Sequence, residues 1–150
     1  MKYASIVPLI GGATIAMQNV LQRKPEYIIS YDDFKANDNH LVEYYKGTVP
    51  YYLYGDNGTP DLPSVEVINT VCPCAGLSSL SPTASSDAAA NDWMLTTANF
   101  VLGTLKPQVF WGENAPGLAS NIGRPVVTKL RKIAKEFGYT FSIYKTKSIL

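Results

Sequence analysis

The chain has 150 residues, 46% of them hydrophobic and 17% charged, with a formal net charge of +1 at pH 7; this fits one globular domain with its own core and excludes a chain that holds nucleic acid by overall charge alone. Two cysteines one residue apart exclude a secreted disulfide framework, and a single histidine leaves too few ligands for a typical zinc site. No run approaches the roughly 18 apolar residues of a membrane span, and the amino terminus is too short and too weakly basic for a signal peptide, so we expect a cytoplasmic protein without a metal or a membrane partner.

The first half of the chain alternates between strand and helix patterns. Short apolar, β-branched runs predict buried strands, and apolar residues at helical spacing predict the helices between them. The predicted elements are a strand at 3–9, a break at Gly11-Gly12, a helix at 13–23, a strand at 26–31, a helix at 34–45, a strand at 50–54, a turn at 55–58 and a strand at 65–71.

The second half begins with a stretch at 76–90 that is rich in Ser and Ala and lacks periodicity, which predicts a mobile loop. Asn91 is the predicted cap of the next helix, and Met94, Ala98, Val101, Leu102 and Leu105 form its apolar stripe. A strand at 109–111, a helix at 125–137 ended by Gly138, and a last strand at 140–144 complete the prediction. The alternation predicts an α/β fold with three α/β/α layers and a mostly parallel sheet with right-handed crossovers.

Two short motifs carry candidate chemistry, and each follows a predicted strand. Cys72-Pro73-Cys74 follows the strand at 65–71, and Gly112-Glu113-Asn114-Ala115 follows the strand at 109–111. Ligands of open α/β sheets gather at the carboxyl ends of the strands, so the thiol of Cys74 and the carboxylate of Glu113 are a candidate nucleophile and proton donor. An isolated cysteine in an apolar strand is more often a small core residue, which is how we interpret Cys72.

The order of these motifs resembles that in the catalytic domain of DNA cytosine-5 methyltransferases, which use S-adenosylmethionine. Pro73-Cys74 stands where the family has Pro-Cys after its fourth strand, and Glu113-Asn114-Ala115 where it has Glu-Asn-Val after its fifth. Similar residues also occur at Gly55-Asp56-Asn57, Lys106-Pro107-Gln108-Val109 and Leu118-Ala119-Ser120. The resemblance covers essentially the whole chain and implies a Rossmann-like S-adenosylmethionine-dependent methyltransferase fold.

The resemblance implies a covalent mechanism on a flipped base. By resemblance Cys74 is the nucleophile that attacks C6 of cytosine, Glu113 holds the N3 edge of the base, and Asn114 orients the neighbouring strand end. The family's closing catalytic loop would correspond to residues 76–90, where Ser78 and Ser79 are the implied contacts to DNA phosphates.

The resemblance also implies an S-adenosylmethionine site around the first strand–helix turn. The implied cofactor-binding residues are Leu9, Ile10, Gly11, Gly12, Tyr31, Asp32, Asp56 and Pro73. The acid that ends the second strand in the family falls at Tyr31 here, and a shift of one residue would restore a carboxylate through Asp32. Asp56 is expected on the adenine side of the cofactor.

Family enzymes continue into later strands and a target recognition domain beyond the point matched by the end of this sequence. We therefore expect residues 1–150 to form a single, partial catalytic domain, truncated at its carboxyl-terminal side, that does not turn over alone. The expected partners are double-stranded DNA and either a second polypeptide that supplies the remaining half or another copy of the chain. The expected location is the cytoplasm of a bacterial or phage-infected cell, in restriction–modification, phage protection or an orphan role.

Two other functions stay open from the sequence. The chain can be an inactive fragment or split-subunit scaffold that binds cofactor or a partner chain without turnover, or an unrelated thiol-dependent Rossmann-like enzyme. The basic residues concentrate from Arg124 onward, with Glu136 as the one acid among them. We interpret Lys129, Lys132 and Lys135 as an ordinary solvated helix face.

Overall fold

The computed structural model describes residues 1–55, 61–82, 84–85 and 87–147. The chain forms two compact units, one made of Met1–Cys72 with Lys106–Glu113 and the other of Pro73–Leu105 with Asn114–Leu150. We call the first the sheet unit, because it holds all the described strands, and the second the helical unit.

The sheet unit contains a five-stranded, all-parallel sheet in the order β3-β2-β1-β4-β5. The strands are β1 (Tyr3–Ile6), β2 (Ile28–Tyr31), β3 (Tyr51–Tyr54), β4 (Val67–Thr70) and β5 (Val109–Gly112). The strands β1, β2 and β4 are buried along their whole length, as expected for parallel strands inside an α/β fold. The predictions of an α/β fold and a parallel sheet are confirmed.

The strand predicted at 140–144 is wrong: this segment has neither strand nor helix structure. A strand needs a neighbour for its backbone hydrogen bonds, and among the described residues no strand pairs with this segment. The alternating apolar side chains of this segment are typical of a strand, but they do not form one without a partner strand among the described residues.

The helices of the sheet unit are α1 (Gly12–Leu21) and α2 (Asn39–Tyr44). The helix predicted at 34–45 is in fact a 3-10 turn at Asp32–Phe34 followed, after a gap, by the shorter α2. A buried polar chain lies against α1: the Thr14 hydroxyl donates to Ser5 Oγ at 2.9 Å, and Ser5 donates to Asn69 Oδ1 at 2.7 Å. Since these bonds join α1 to β1 and β4, they fix the helix over the centre of the sheet.

The helical unit contains α3 (Asp92–Phe100), which continues as a π-helical turn at Val101–Leu105, and α4 (Arg124–Glu136). Most of the predicted apolar stripe of α3 is buried, and α3 packs against α4. Gly138, at φ +81°, ends α4 as predicted. The Gly138 N–H donates to the Lys135 carbonyl and the Tyr139 N–H to the Ala134 carbonyl, which is the Schellman pattern.

Asn91 is at the N-cap position of α3, but the side-chain capping hydrogen bond predicted for it is absent. Asn91 does precede α3, but its side chain makes no capping hydrogen bond, because a 3-10 turn at Ala89–Asn91 holds it in a helical backbone conformation. Its amide instead donates to the Ser85 carbonyl at 2.9 Å. The side chain therefore ties together the loop before the helix.

Asp38 is a fully buried carboxylate at the start of α2. The Tyr51 hydroxyl donates to its Oδ2 at 2.6 Å. Burial raises the pKa of Asp38 above its ordinary value, and the nearby polar groups, among them the Tyr51 hydroxyl that donates to it, oppose the shift only in part. The folded chain therefore binds this proton more tightly than the unfolded chain does.

We expect Asp38→Asn to leave stability at pH 7 equal to the wild type's or higher by a few degrees in Tm, because the neutral amide still accepts the Tyr51 hydrogen bond without a buried charge. A raised folded pKa makes the carboxyl's contribution greatest in acid and lost as pH rises through that pKa. Thermal melts across pH should show this loss in the wild type and in Asp61→Asn, an exposed-site control, and not in Asp38→Asn. A variant much less stable than wild type at pH 7 would contradict this account.

Candidate active site

In the sheet unit, the edge formed by the strand ends positions Glu113. The strands are parallel, so all their carboxyl ends lie at one edge, and Thr70 at the end of β4 pairs with Gly112 at the end of β5. The Glu113 N–H donates to the Thr70 carbonyl at 3.3 Å. Glu113 is exposed and begins where β5 ends, so its carboxylate stands at the edge where α/β sheets bind ligands.

In the sheet unit, the side chain of Cys72 is buried in the core. Its thiol is 2% exposed and lies 3.4 Å from the Thr70 hydroxyl. A thiol in this environment packs as a small core residue, which confirms the interpretation from sequence. The chain leaves the sheet unit directly after Cys72, towards Pro73 and Cys74.

In the helical unit, Cys74 is exposed and stands at the head of a tight turn. Its carbonyl oxygen accepts hydrogen bonds from the Leu77 N–H at 3.0 Å and the Ser78 N–H at 2.9 Å. Leu77 is only 1% exposed, so it anchors the turn in the interior. The backbone that carries the Cys74 thiol is therefore fixed on one side while the thiol itself is accessible to a reactant.

The residues after Glu113 pack against this turn within the helical unit. Asn114 Oδ1 accepts from the Ala115 N–H at 2.8 Å, and a 3-10 turn follows at Pro116–Ala119. Gly117 in that turn lies so close to Leu77 that an added Cβ would overlap the Leu77 carbonyl oxygen. Within the helical unit, the turn after Cys74 and the turn after Ala115 are thus in contact backbone to backbone, through a residue that motif reasoning did not single out.

The two serines implied as DNA contacts lie in the loop that follows the turn. Ser78 is half-buried and its hydroxyl accepts weakly from the Leu80 N–H at 3.3 Å, while Ser79 is exposed. The Ser85 N–H donates to the Gly76 carbonyl at 3.0 Å, so the loop folds back on itself. Ser79 is therefore the more accessible of the two hydroxyls.

The loop between β1 and α1 has an unusual backbone, with positive φ at Val7 (48°), Leu9 (52°) and Gly11 (91°). Positive φ is a rare conformation for a β-branched residue such as Val7, and strain of this kind concentrates at functional loops. Glycine is favoured at Gly11 by its positive φ, and an added Cβ there would also lie 2.5 Å from Leu41 Cδ1, so that side chain would have to shift. Ile10 is 75% exposed at the tip of the loop.

The end of β2 presents Asp32 and not Tyr31. Tyr31 is 5% exposed, and its ring packs edge-on against Phe34 (6.3 Å between centroids) and Tyr54 (5.8 Å). Asp32 follows it as an exposed carboxylate at the start of a 3-10 turn. The carboxylate expected from a one-residue shift is present, whereas Asp56 lies outside the described residues.

A surface groove in the sheet unit is lined by only one of the predicted cofactor-binding residues. This shallow groove of about 240 Å³ opens between α1 and α2. Ile10, Ile15, His40, Leu41 and Tyr44 line it, so it includes one predicted residue and not Asp32. Of the residues predicted for the cofactor, the Gly11-Gly12 turn allows close backbone approach and Asp32 presents an exposed carboxylate; their role in binding S-adenosylmethionine stays a prediction.

Within the described part of the chain, no group of three or more His, Cys, Asp or Glu side chains is arranged to hold a metal ion. No helix there is long and apolar enough to cross a membrane. No protein-family model matches the chain, and no curated protein matches its sequence significantly.

Proposed function

We propose that the chain is the catalytic portion of a DNA cytosine-5 methyltransferase, with a Rossmann-like, three-layer methyltransferase fold. The observation that carries the proposal is the parallel sheet order β3-β2-β1-β4-β5, in which Pro73-Cys74 follows β4 and Glu113-Asn114 follows β5, its neighbour in the sheet. Neighbouring strand ends are where α/β folds deliver reacting groups.

Cys74 is the proposed nucleophile. Its thiol is exposed while Cys72 is buried, so only Cys74 is accessible to a flipped cytosine. The thiolate attacks C6 and an Sγ–C6 bond forms, while the electrons of the C5–C6 double bond shift towards C4 and N3. Glu113 donates a proton to N3, so the charge that develops on the ring is neutralised in the transition state.

The remaining steps return the enzyme to its starting state. S-adenosylmethionine, when bound, would supply the electrophilic methyl group that C5 accepts, and would leave as S-adenosylhomocysteine. Loss of the C5 proton to solvent then lets the Sγ–C6 bond break, which restores the Cys74 thiolate and the aromatic ring. N3 returns its proton to Glu113. We assign Gly11 and Gly12 to the methionine side of the cofactor and Asp32 to its ribose hydroxyls.

Duplex DNA that contains 5-fluorocytosine tests the chemistry, because fluorine at C5 cannot leave as a proton and the adduct is trapped. When a polypeptide that supplies the remaining half of the enzyme is added in trans, we expect a covalent complex in the presence of S-adenosylmethionine, with the DNA on the tryptic peptide that contains Cys74. The assay should also be run with single-stranded DNA, where a base needs no extraction from a duplex.

Calorimetry with S-adenosylhomocysteine separates the proposal from its alternatives. Binding together with an adduct supports the methyltransferase. Binding without any adduct on either substrate would favour a scaffold that holds cofactor without turnover, and the absence of both would reject the methyltransferase assignment.

A further inference from the structure

The near-neutral charge of the chain conceals a separation of charge between the two units. The sheet unit contains six Lys and Arg residues against nine Asp and Glu residues, whereas the helical unit contains seven against three. All seven basic residues of the helical unit come from Arg124 onward. A polyanion is therefore attracted to the helical unit more than the net charge of +1 suggests.

A groove of about 260 Å³ lies in this basic part of the helical unit. Its floor is apolar, made of Leu118, Val127 and Ile143, and Arg124 and Arg131 line it from α4. The two arginines are seven residues apart, which places them on one face of the helix at roughly 10 Å along its axis. The groove thus offers two guanidinium groups on one side of a shallow channel.

Each guanidinium group has one neighbour that orients it, although both side chains are exposed. Arg124 Nη2 donates to Asn121 Oδ1 at 2.8 Å, and the guanidinium of Arg131 lies 5.7 Å from the centre of the Phe141 ring. Among the described residues, neither arginine forms an ion pair with a carboxylate. Their charge is therefore oriented in advance and uncompensated, which lowers the cost of binding an anion.

We propose that this groove binds the phosphate backbone of duplex DNA, at a site separate from the base pocket. The choice of DNA among polyanions rests on the proposed function. Guanidinium forks match phosphate oxygens in geometry, and exposed Lys135, which helical spacing places on the same face as Arg124 and Arg131, extends the positive surface along the 13-residue α4. A track of this length suits a polymer of regularly spaced charges better than a single small anion.

Fluorescence anisotropy with a labelled duplex made only of A·T pairs tests the groove, because that DNA contains no cytosine and its binding is independent of methyl transfer. We expect Arg124→Gln/Arg131→Gln to weaken binding roughly 50-fold near 0.1 M salt and to lower the salt-dependence slope by about 1.8, the loss of two phosphate contacts. Arg124→Lys/Arg131→Lys should lose less, since it keeps both charges.

The matched control is Lys24→Gln/Lys35→Gln, which removes the same charge from exposed positions of the sheet unit. It should change the affinity and the slope only slightly, and circular dichroism melts should show all variants folded. If the control variant weakens DNA binding as much as the arginine variant does, the effect comes from the overall charge and not from the groove, and the proposal is overturned. Tighter binding of a poly-glutamate peptide than of the duplex would overturn it in favour of an acidic protein partner. If the arginine variant weakens DNA binding as expected but no 5-fluorocytosine complex forms, the methyltransferase chemistry is rejected and the DNA-binding groove is not.

Discussion

Cys74→Ser is expected to abolish the covalent complex with 5-fluorocytosine DNA and to lower any methyl transfer by at least about a thousandfold, because a serine hydroxyl in the same turn is a far weaker nucleophile than a thiolate. The substitution removes little packing, since Cys74 is exposed and its fixed neighbours are backbone groups. The variant should therefore melt at nearly the wild-type temperature. Gel shift of the trapped complex and tritiated methyl incorporation measure the two effects.

Cys72→Ala supplies the matched control two residues earlier in the chain. Its side chain is buried against Thr70, so the substitution should cost about 1 kcal/mol in stability, the loss of a small core group. The adduct should still form. An adduct that survives in Cys74→Ser, or one that disappears only in Cys72→Ala, would show that the accessible thiol is not the nucleophile.

The strands were predictable because their signal is local. Runs such as Val67–Thr70, with β-branched side chains at three of its four positions, indicate a strand, and the helices between the strands require parallel pairing. The segment 140–144 has the same local signal but no described partner strand, and pairing is a property of the whole fold that periodicity does not contain. The cap predicted at Asn91 failed for a similar reason, since a capping hydrogen bond depends on the backbone conformation before the helix, which the local sequence does not determine.

Parts of the candidate site were predictable for the same reason. Pro73-Cys74 and Glu113 follow strands, so their placement after β4 and β5 came from element boundaries alone. The positive φ of Val7 had no signal in the sequence, because a β-branched residue is the opposite of what that conformation favours. The groove on α4 could not be inferred either, since helical spacing places Arg124 and Arg131 on one face but does not reveal what packs beside them.

The packing of Gly117 on Leu77 was also invisible to motif reasoning, although Pro116-Gly117 is a recognisable turn signal. A contact between two backbone segments has no characteristic side-chain pattern, so it cannot be predicted from the sequence. Such contacts are nevertheless among those that tolerate substitution least, because neither atom can rotate away.

Gly117→Ala is expected to destabilise the chain by about 3 kcal/mol, at the upper end of the cost of overpacking. The added methyl group would overlap the Leu77 carbonyl, which belongs to the turn headed by Cys74, so relief requires one of the two segments to move. Movement of the turn displaces the thiol, and Gly117→Ala should therefore slow adduct formation even below its melting temperature. Urea denaturation and the rate of 5-fluorocytosine trapping measure these two consequences.

The control for this substitution is Gly12→Ala, read by stability alone. Apart from its chain neighbours and the backbone of its own helix, no described atom lies within 4 Å of a Cβ added at Gly12, and alanine favours a helix more than glycine does, so the stability of the variant should be unchanged or higher. Similar losses in the two variants would mean that the effect comes from glycine replacement in general. A stable Gly117→Ala protein that traps DNA at the wild-type rate would show that the Cys74 turn does not depend on the contact between Gly117 and Leu77.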